Sequence, residues 1–280
     1  MNLTSPSQVK AWCIENDFHP NKVLGQNFLI DQNALKAIVD AGLEGIGDWG
    51  SGIWDQGSGI RVLEIGPGLG VLTEEMLKRG CEVVAIEKDP VLAARLAESL
   101  GNPQNLTVVA DDALVWLAKS NNRTIEQSNN FDVMISNLPY QAGTRILLEL
   151  VKARELPSMT VLVQTEVAER LAAKEGSKTR GLAGVWAQLD YDVKIVRKVA
   201  ASCFWPRPEI GSSVVRLVRH DRNAELTPEE RDLFHRLTKQ AFEHRRKQLG
   251  SIFKDMIQST ARAEELSNED WIQLTKGLIG

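Results

Sequence analysis

The chain has 280 residues, 43% hydrophobic and 25% charged, enough for one large globular domain or one of about 200 residues with a small appendage. No run approaches the ~18 apolar residues of a membrane span, and the start, MNLTSPSQVKAWCIENDF, lacks the basic-then-apolar order of a secretory signal. Cys13, Cys81, Cys203 and four scattered histidines form neither a disulfide framework nor a metal-ligand pattern, so the expectation is a cytoplasmic protein with no metal and no membrane partner.

From Arg61 onward, short apolar runs alternate with helical stretches. Residues 61–65 (RVLEI) read as a strand ending at glycines, and 71–80 as a helix stopped by Gly80. Residues 82–87 (EVVAIE) are a second strand. Residues 90–101 are a helix with Asp89 as N-cap, Pro90 at its first position and Gly101 past its end. Further strands are expected at 106–110, 131–136 and 159–164, with helices at 144–153 and 165–174. Two more strands, 191–199 and 213–218, follow without a helix between them, which predicts that one runs antiparallel at the sheet edge. The alternation predicts an α/β fold with a Rossmann-like, mostly parallel sheet covered on both faces. After Arg219 the pattern turns helical: 226–257, opened by Thr227-Pro228-Glu229-Glu230, and a further helix after Ser267. The expected division is a catalytic domain over 1–222 and a small all-helical domain over 223–280. Segments 42–59, rich in Gly and Trp, and 119–130, which is polar, read as loops.

Net charge is −4, which by itself argues against a nucleic-acid partner. The charge is segregated, however. Between Lys194 and Lys254 fourteen Lys and Arg stand against seven Asp and Glu, a local +7 in a chain whose remainder carries −11. Segregation is what an electrostatic footprint for a polyanion requires; a basic solvated helix face is the alternative.

The first strand runs into Glu64-Ile65-Gly66-Pro67-Gly68-Leu69-Gly70. Glycines there permit a tight turn and let a ligand approach the backbone at the carboxyl end of the strand. A dinucleotide fingerprint fails, because its third glycine would fall on Val71. The E-x-G-x-G form suits a ligand without a pyrophosphate, such as S-adenosylmethionine, with Glu64 placed to orient its cationic amino-acid part; a purely structural turn is the alternative. Glu87, at the end of the second strand, has the position of a carboxylate that accepts both ribose hydroxyls. Asp111 and Asp112 close the third strand, where a carboxylate accepts from an adenine amino group. Three acids at three successive strand ends carry more weight than any one.

The fourth strand delivers Ser136-Asn137-Leu138-Pro139-Tyr140. This sequence suits an exocyclic amine, whose nitrogen lone pair is delocalised into the ring. Acceptors on its two hydrogens, the Asn137 side-chain oxygen and the Leu138 carbonyl, favour the tetrahedral geometry that frees the pair. Pro139 stiffens the turn, and Tyr140 offers a ring for a flipped base. Catalysis of this kind is positioning and electrostatics, with no strong base needed.

Together these residues resemble the rRNA adenine dimethyltransferase family, in its small-subunit branch. Leu24-Gly25-Gln26-Asn27-Phe28-Leu29 is similar to its GQNFL signature; residues 62–76, 86–90, 111–113 and 137–140 follow in its order. QTEVAERLAA (164–173), SCFWPRPEIGSSVVRLV (202–218, with Ile210 where the family has Val), AFEHRRKQL (241–249) and ARAEELS (261–267) match further segments. The resemblance implies dimethylation of two adjacent adenosines near the 3′ end of small-subunit rRNA, in an assembling subunit, by a monomer. It implies cofactor contacts at Asn27, Leu29, Gly66, Glu87, Asp112 and Asn137; Gln26, Glu64, Gly68 and Ala113 complete the expected cofactor set. The expected catalytic residues are Asn137, Leu138, Pro139 and Tyr140, and the expected RNA contacts Arg207, Arg245, Arg246 and Lys247. Residues 141–145 (QAGTR) and 179–183 (TRGLA) depart from the pattern, and the 42–59 loop is longer than usual. The competing readings are a large-subunit rRNA methyltransferase of the macrolide-resistance type, a non-catalytic ribosome assembly factor, and a dinucleotide oxidoreductase.

Overall fold

Five of the apolar runs form the parallel heart of a seven-stranded sheet in the structure, a computed structural model that describes residues 1–21, 24–46, 59–120, 131–224 and 226–279. These are β2 (Arg61–Ile65), β3 (Glu82–Glu87), β4 (Leu106–Ala110), β5 (Val133–Asn137) and β6 (Ser158–Gln164), in the spatial order β4-β3-β2-β5-β6. The sheet is completed by β9 (Ser212–Arg219) and then β7 (Tyr191–Val199). A separate two-stranded piece pairs β1 (Phe28–Leu29) with β8 (Phe204–Trp205). The central runs are apolar throughout because both faces of the sheet are covered.

One expectation is corrected. The antiparallel strand is β9, and it lies inside the sheet, between β6 and β7 and antiparallel to both. The edge strand, β7, runs in the common direction. It carries Lys194, Arg197 and Lys198 and a register shift between Ile195 and Arg197, devices that discourage edge-to-edge pairing.

The helices sort onto two faces. Alternate strand residues split accordingly: Val62, Val83, Val133 and Ile135 pack in one cluster, and Leu63, Val84, Met134 and Met159 in the other. The first face holds α1 (Pro6–Glu15), α2 (Gln32–Leu43), α3 (Val71–Lys78) and α4 (Pro90–Ser99). The second holds α5 (Ala113–Ser120), α6 (Gly143–Ala153), α7 (Thr165–Leu171) and α8 (Leu182–Asp190). The Asp89 carboxylate caps α4 as expected, accepting from Val91 and Leu92 N–H. Helices α1, α2, α5 and α8 were not expected from the sequence, and α2 begins at an Asp31 cap bonded to Ala34 N–H. Loop 42–59 begins later than expected, since α2 runs to Leu43; its residues 47–58 lie outside the described residues, as do 121–130 of the second expected loop.

The helix expected over 226–257 is broken. Helix α9 (Pro228–Glu243), opened by the expected Thr227/Glu230 capping box, stops at His244, and α10 (Leu249–Phe253) follows. Between them Gln248 bridges Arg262, and Leu249 N–H donates to the Ala261 carbonyl at 2.9 Å. Pairing with a distant segment replaces the helical bonds that a run of four consecutive basic side chains would have had to keep. The last helix, α11 (Asn268–Gly277), is capped by Ser267.

The C-terminal helices share the second face's core through Phe234, Leu237 and Trp271. Polar bonds bind them too: Trp186 Nε1 donates to Thr238 Oγ1 at 2.9 Å, and Arg231 Nη1 lies within hydrogen-bond distance of both oxygens of the buried Asp190, at 3.0 and 2.9 Å. The fully buried Arg180 donates to the Ala173 carbonyl and to Asn268 Oδ1, at 3.1 and 2.9 Å. Asn268 in turn donates to the Val185 carbonyl at 3.0 Å. Asn268→Ala therefore strands a guanidinium N–H in the core and removes a second bond from the Val185 carbonyl. A loss of about 1–3 kcal/mol in chemical denaturation is expected; an unchanged midpoint would show that water replaces the amide.

Candidate active site

The carboxyl ends of β2, β3, β4 and β5 open onto one cleft of about 360 Å³, within the range of small-molecule sites. All thirteen expected cofactor and catalytic residues line it. The expected RNA contacts Arg207, Arg245, Arg246 and Lys247 do not.

The floor is the turn after β2. Gly66, Gly68 and Gly70 have φ of +70°, +59° and +90°, conformations that a side chain resists. Gly66 N–H is taken by the Ile86 carbonyl and Gly68 N–H by Glu87 Oε2 at 3.1 Å. A Cβ on Gly68 would stand 3.2 Å from the Phe28 ring, so a side chain there would crowd the segment that lies over the turn.

Each acid is held differently. Glu64 is buried, accepts from Thr73 Oγ1 at 2.7 Å, and has its pKa pushed up to about 8, first by burial and then by the nearby Glu87, against the Thr73 bond. Glu87 is raised by burial as well; its two oxygens accept Gly68 N–H and Asp89 N–H, which orients its remaining lone pairs. Asp112 is lowered, chiefly by Lys88, whose ammonium sits 2.7 Å from Oδ2, while Oδ1 accepts Leu114 N–H at 2.8 Å. Its neighbour, the half-buried Asp111, is paired with Lys119 at 2.9 Å.

The wall is built from both ends of the chain. Asn137 Nδ2 donates to the Asn27 carbonyl at 3.2 Å, so its oxygen is the end left to accept from a ligand. A Cβ on Gly25, at φ +67°, would stand 3.1 Å from Tyr140 N, so the 24–29 segment rests on the 137–140 turn. Gln26 is committed to structure: Oε1 accepts Asn21 N–H at 2.7 Å and Nε2 donates to Asp89 Oδ2 at 2.8 Å. Leu29 pairs with Phe204, and Tyr140 OH shares a 2.6 Å hydrogen bond with Ser212 Oγ, which fixes the ring. Thus the 24–29, 137–140 and 202–212 segments converge.

Sequence reasoning missed Lys88, Thr73, Ser212 and Arg145, an exposed side chain of α6 that also lines the cleft. Only Arg145 left a signal, as a departure inside 141–145; the other pairings exist only after folding. Of the expected RNA contacts, Arg207, Arg246 and Lys247 are exposed, but Arg245 donates to the Lys178 carbonyl at 3.0 Å and lies 3.9 Å from Glu264. Among the described residues no helix is long and apolar enough to cross a membrane.

The architecture is that of the Rossmann-like methyltransferases. It superposes on a dimethyladenosine transferase from Plasmodium falciparum with a TM-score of 0.68 at 22% identity, covering 88% of this chain and 95% of that one. It also superposes on the 23S rRNA methyltransferase ErmE with a TM-score of 0.63 at 22% identity, covering 91% and 100%. The sequence profile described as ribosomal RNA adenine dimethylase matches residues 17–276. The chain belongs to that family. It is similar to proteins named ribosomal RNA small subunit methyltransferase A: 40% identical to that of Deinococcus radiodurans over 77% of this chain and 67% of that one. The corresponding protein of Enterococcus faecalis is 31% identical over 99% and 96%.

Glu64 gives the site a pH signature. A carboxyl with a raised pKa holds its proton more tightly in the folded chain. Its stabilising effect is therefore complete below the unfolded value of 4.5 and is lost as pH rises towards about 8. Glu64→Gln, a permanently neutral isostere that can still accept from Thr73, is expected to flatten this part of the dependence of melting temperature on pH. Parallel wild-type and variant curves between pH 5 and 9 would refute the assignment.

Proposed function

We propose that this protein transfers methyl groups from S-adenosylmethionine to the N6 amino groups of two adjacent adenosines near the 3′ end of small-subunit rRNA, within an assembling small ribosomal subunit. The observation that carries this is the placing of Asn137-Leu138-Pro139-Tyr140 in the same cleft as the glycine turn and the strand-end acids. The relatives named small subunit methyltransferase A, matched over most of their length, favour this target over large-subunit rRNA.

The residues fit the cofactor. The bare backbone at Gly66 and Gly68, together with Asn27, Leu29 and the Glu64 carboxyl, would hold the amino-acid end. The carboxylates of Glu87 and Asp112 match ribose hydroxyls and an adenine amino group, beside Ala113. When bound, S-adenosylmethionine supplies an electrophilic methyl on sulfonium.

The protein's own part is to hold the amine. Asn137 Oδ1 and the Leu138 carbonyl accept its two hydrogens, Pro139 sets the turn, and Tyr140, braced by Ser212, stacks on the base. The amine held in this way would accept the methyl that S-adenosylmethionine supplies, with S-adenosylhomocysteine as the leaving product and the proton now made acidic released to solvent. We assign the catalytic work to residues 1–222 and rRNA binding to 223–280 together with Arg207 of the larger domain, with Arg207, Arg246 and Lys247 on phosphates. Arg245 helps through the chain it braces.

Labelled S-adenosylmethionine and small subunits lacking the modification test the reaction. Asn137→Ala is expected to lower turnover about 10²–10³-fold while rRNA binding persists; turnover near wild type would remove Asn137 from the chemistry. If Arg246 and Lys247 neutralise phosphates, charge reversal at both should reduce the slope of log affinity against log salt by about 0.9 for each phosphate no longer neutralised. A wild-type slope would move the footprint elsewhere.

A further inference from the structure

A second groove, of about 460 Å³, lies on the other side of α6 from the methyl-transfer cleft. The first turns of α6 divide the two: Arg145 and Ile146 line the cleft, and Thr144 and Leu148 line the groove. The opposite wall comes from α7, residues 179–183 and the end of α9. Its lining combines an apolar floor, with Leu148 and the half-buried Phe242, and a basic rim.

The rim charges are not equivalent. Arg170 is paired with Glu166, and Arg245 is bound to the Lys178 carbonyl. Lys239 is exposed and makes no hydrogen bond or ion pair with any described residue; the same holds for Arg145 on the dividing turn. Glu243 is the acid among the groove's lining residues, against Arg170, Lys239 and Arg245. An apolar, aromatic floor under uncommitted cations matches a nucleobase with its phosphate. A strand with one base in the cleft and the next in the groove must cross the turn where Arg145 stands.

We propose that this groove holds the nucleotide next to the target adenosine, with its base against Phe242 and Leu148, the connecting phosphate at Arg145 and the outer phosphate at Lys239. The inference rests on the reaction assigned above and adds to it a built place for the neighbouring residue.

Two measurements test it. With small subunits lacking the modification, Arg145→Ala and Lys239→Ala are each expected to raise KM roughly ten-fold with kcat little changed, an effect of the size of one or two nucleic-acid interactions removed. Arg145→Lys should recover most of the loss, and S-adenosylhomocysteine affinity should stay at the wild-type value. Secondly, small subunits lacking the modification, with a photoreactive base placed beside the target adenosine, should crosslink to the groove floor at Phe242 or Leu148. Crosslinks mapping elsewhere, or unchanged KM in both variants, would overturn the groove while leaving the reaction intact. Groove crosslinks with no methylation by the wild type would instead overturn the reaction and leave the groove.

Discussion

The cleft depends on the register of parallel strands. Glu64, Glu87, Asp111 and Asn137 belong to different segments, and they meet only because Ile65 pairs beside Ile86, Glu87 beside Ala110 and Leu63 beside Met134. A slip of one residue in any pair would turn that strand's end group to the opposite face of the sheet. The alternating core prevents such a slip, since it would drive Val62 and Leu63 into each other's layers. The catalytic geometry is in this sense a property of the hydrophobic pattern on both faces.

On that base the site is finished by pieces that no strand supplies. The 24–29 segment lies over the glycine turn, pairs with the 204–205 strand and takes the Asn137 amide nitrogen. Ser212 braces Tyr140 from the strand that lies inside the sheet. These contacts link residues more than seventy positions apart, so cofactor-facing and base-facing walls are coupled: the carbonyl that fixes Asn137 belongs to a residue proposed to face the cofactor.

Electrostatics in the cleft follow burial more than sequence. Glu64 and Glu87 are pushed towards the neutral form by desolvation. Asp112 is held ionised by Lys88 across two strand-end loops. Three acids that look alike along the chain therefore present different hydrogen-bonding characters to a ligand. The basic C-terminal region shows the same divergence, because Arg245 is spent on the protein itself while Arg246 and Lys247 face solvent.

The sequence by itself determined the α/β class, the five parallel strands within about two residues, the Asp89 and Thr227 caps, and thirteen of the residues that line the cleft. These are local signals: apolar runs of strand length, glycines after a strand, a capping side chain three residues before its partner. Tertiary structure alone decided the place of β9 inside the sheet, the break at 244–248, and the partners Lys88, Thr73 and Ser212. Each of those was settled by competition between distant segments for the same hydrogen bonds or the same core space. Short helices such as α1, α5 and α8 belong with them, since in helices of eight to ten residues packing outweighs propensity.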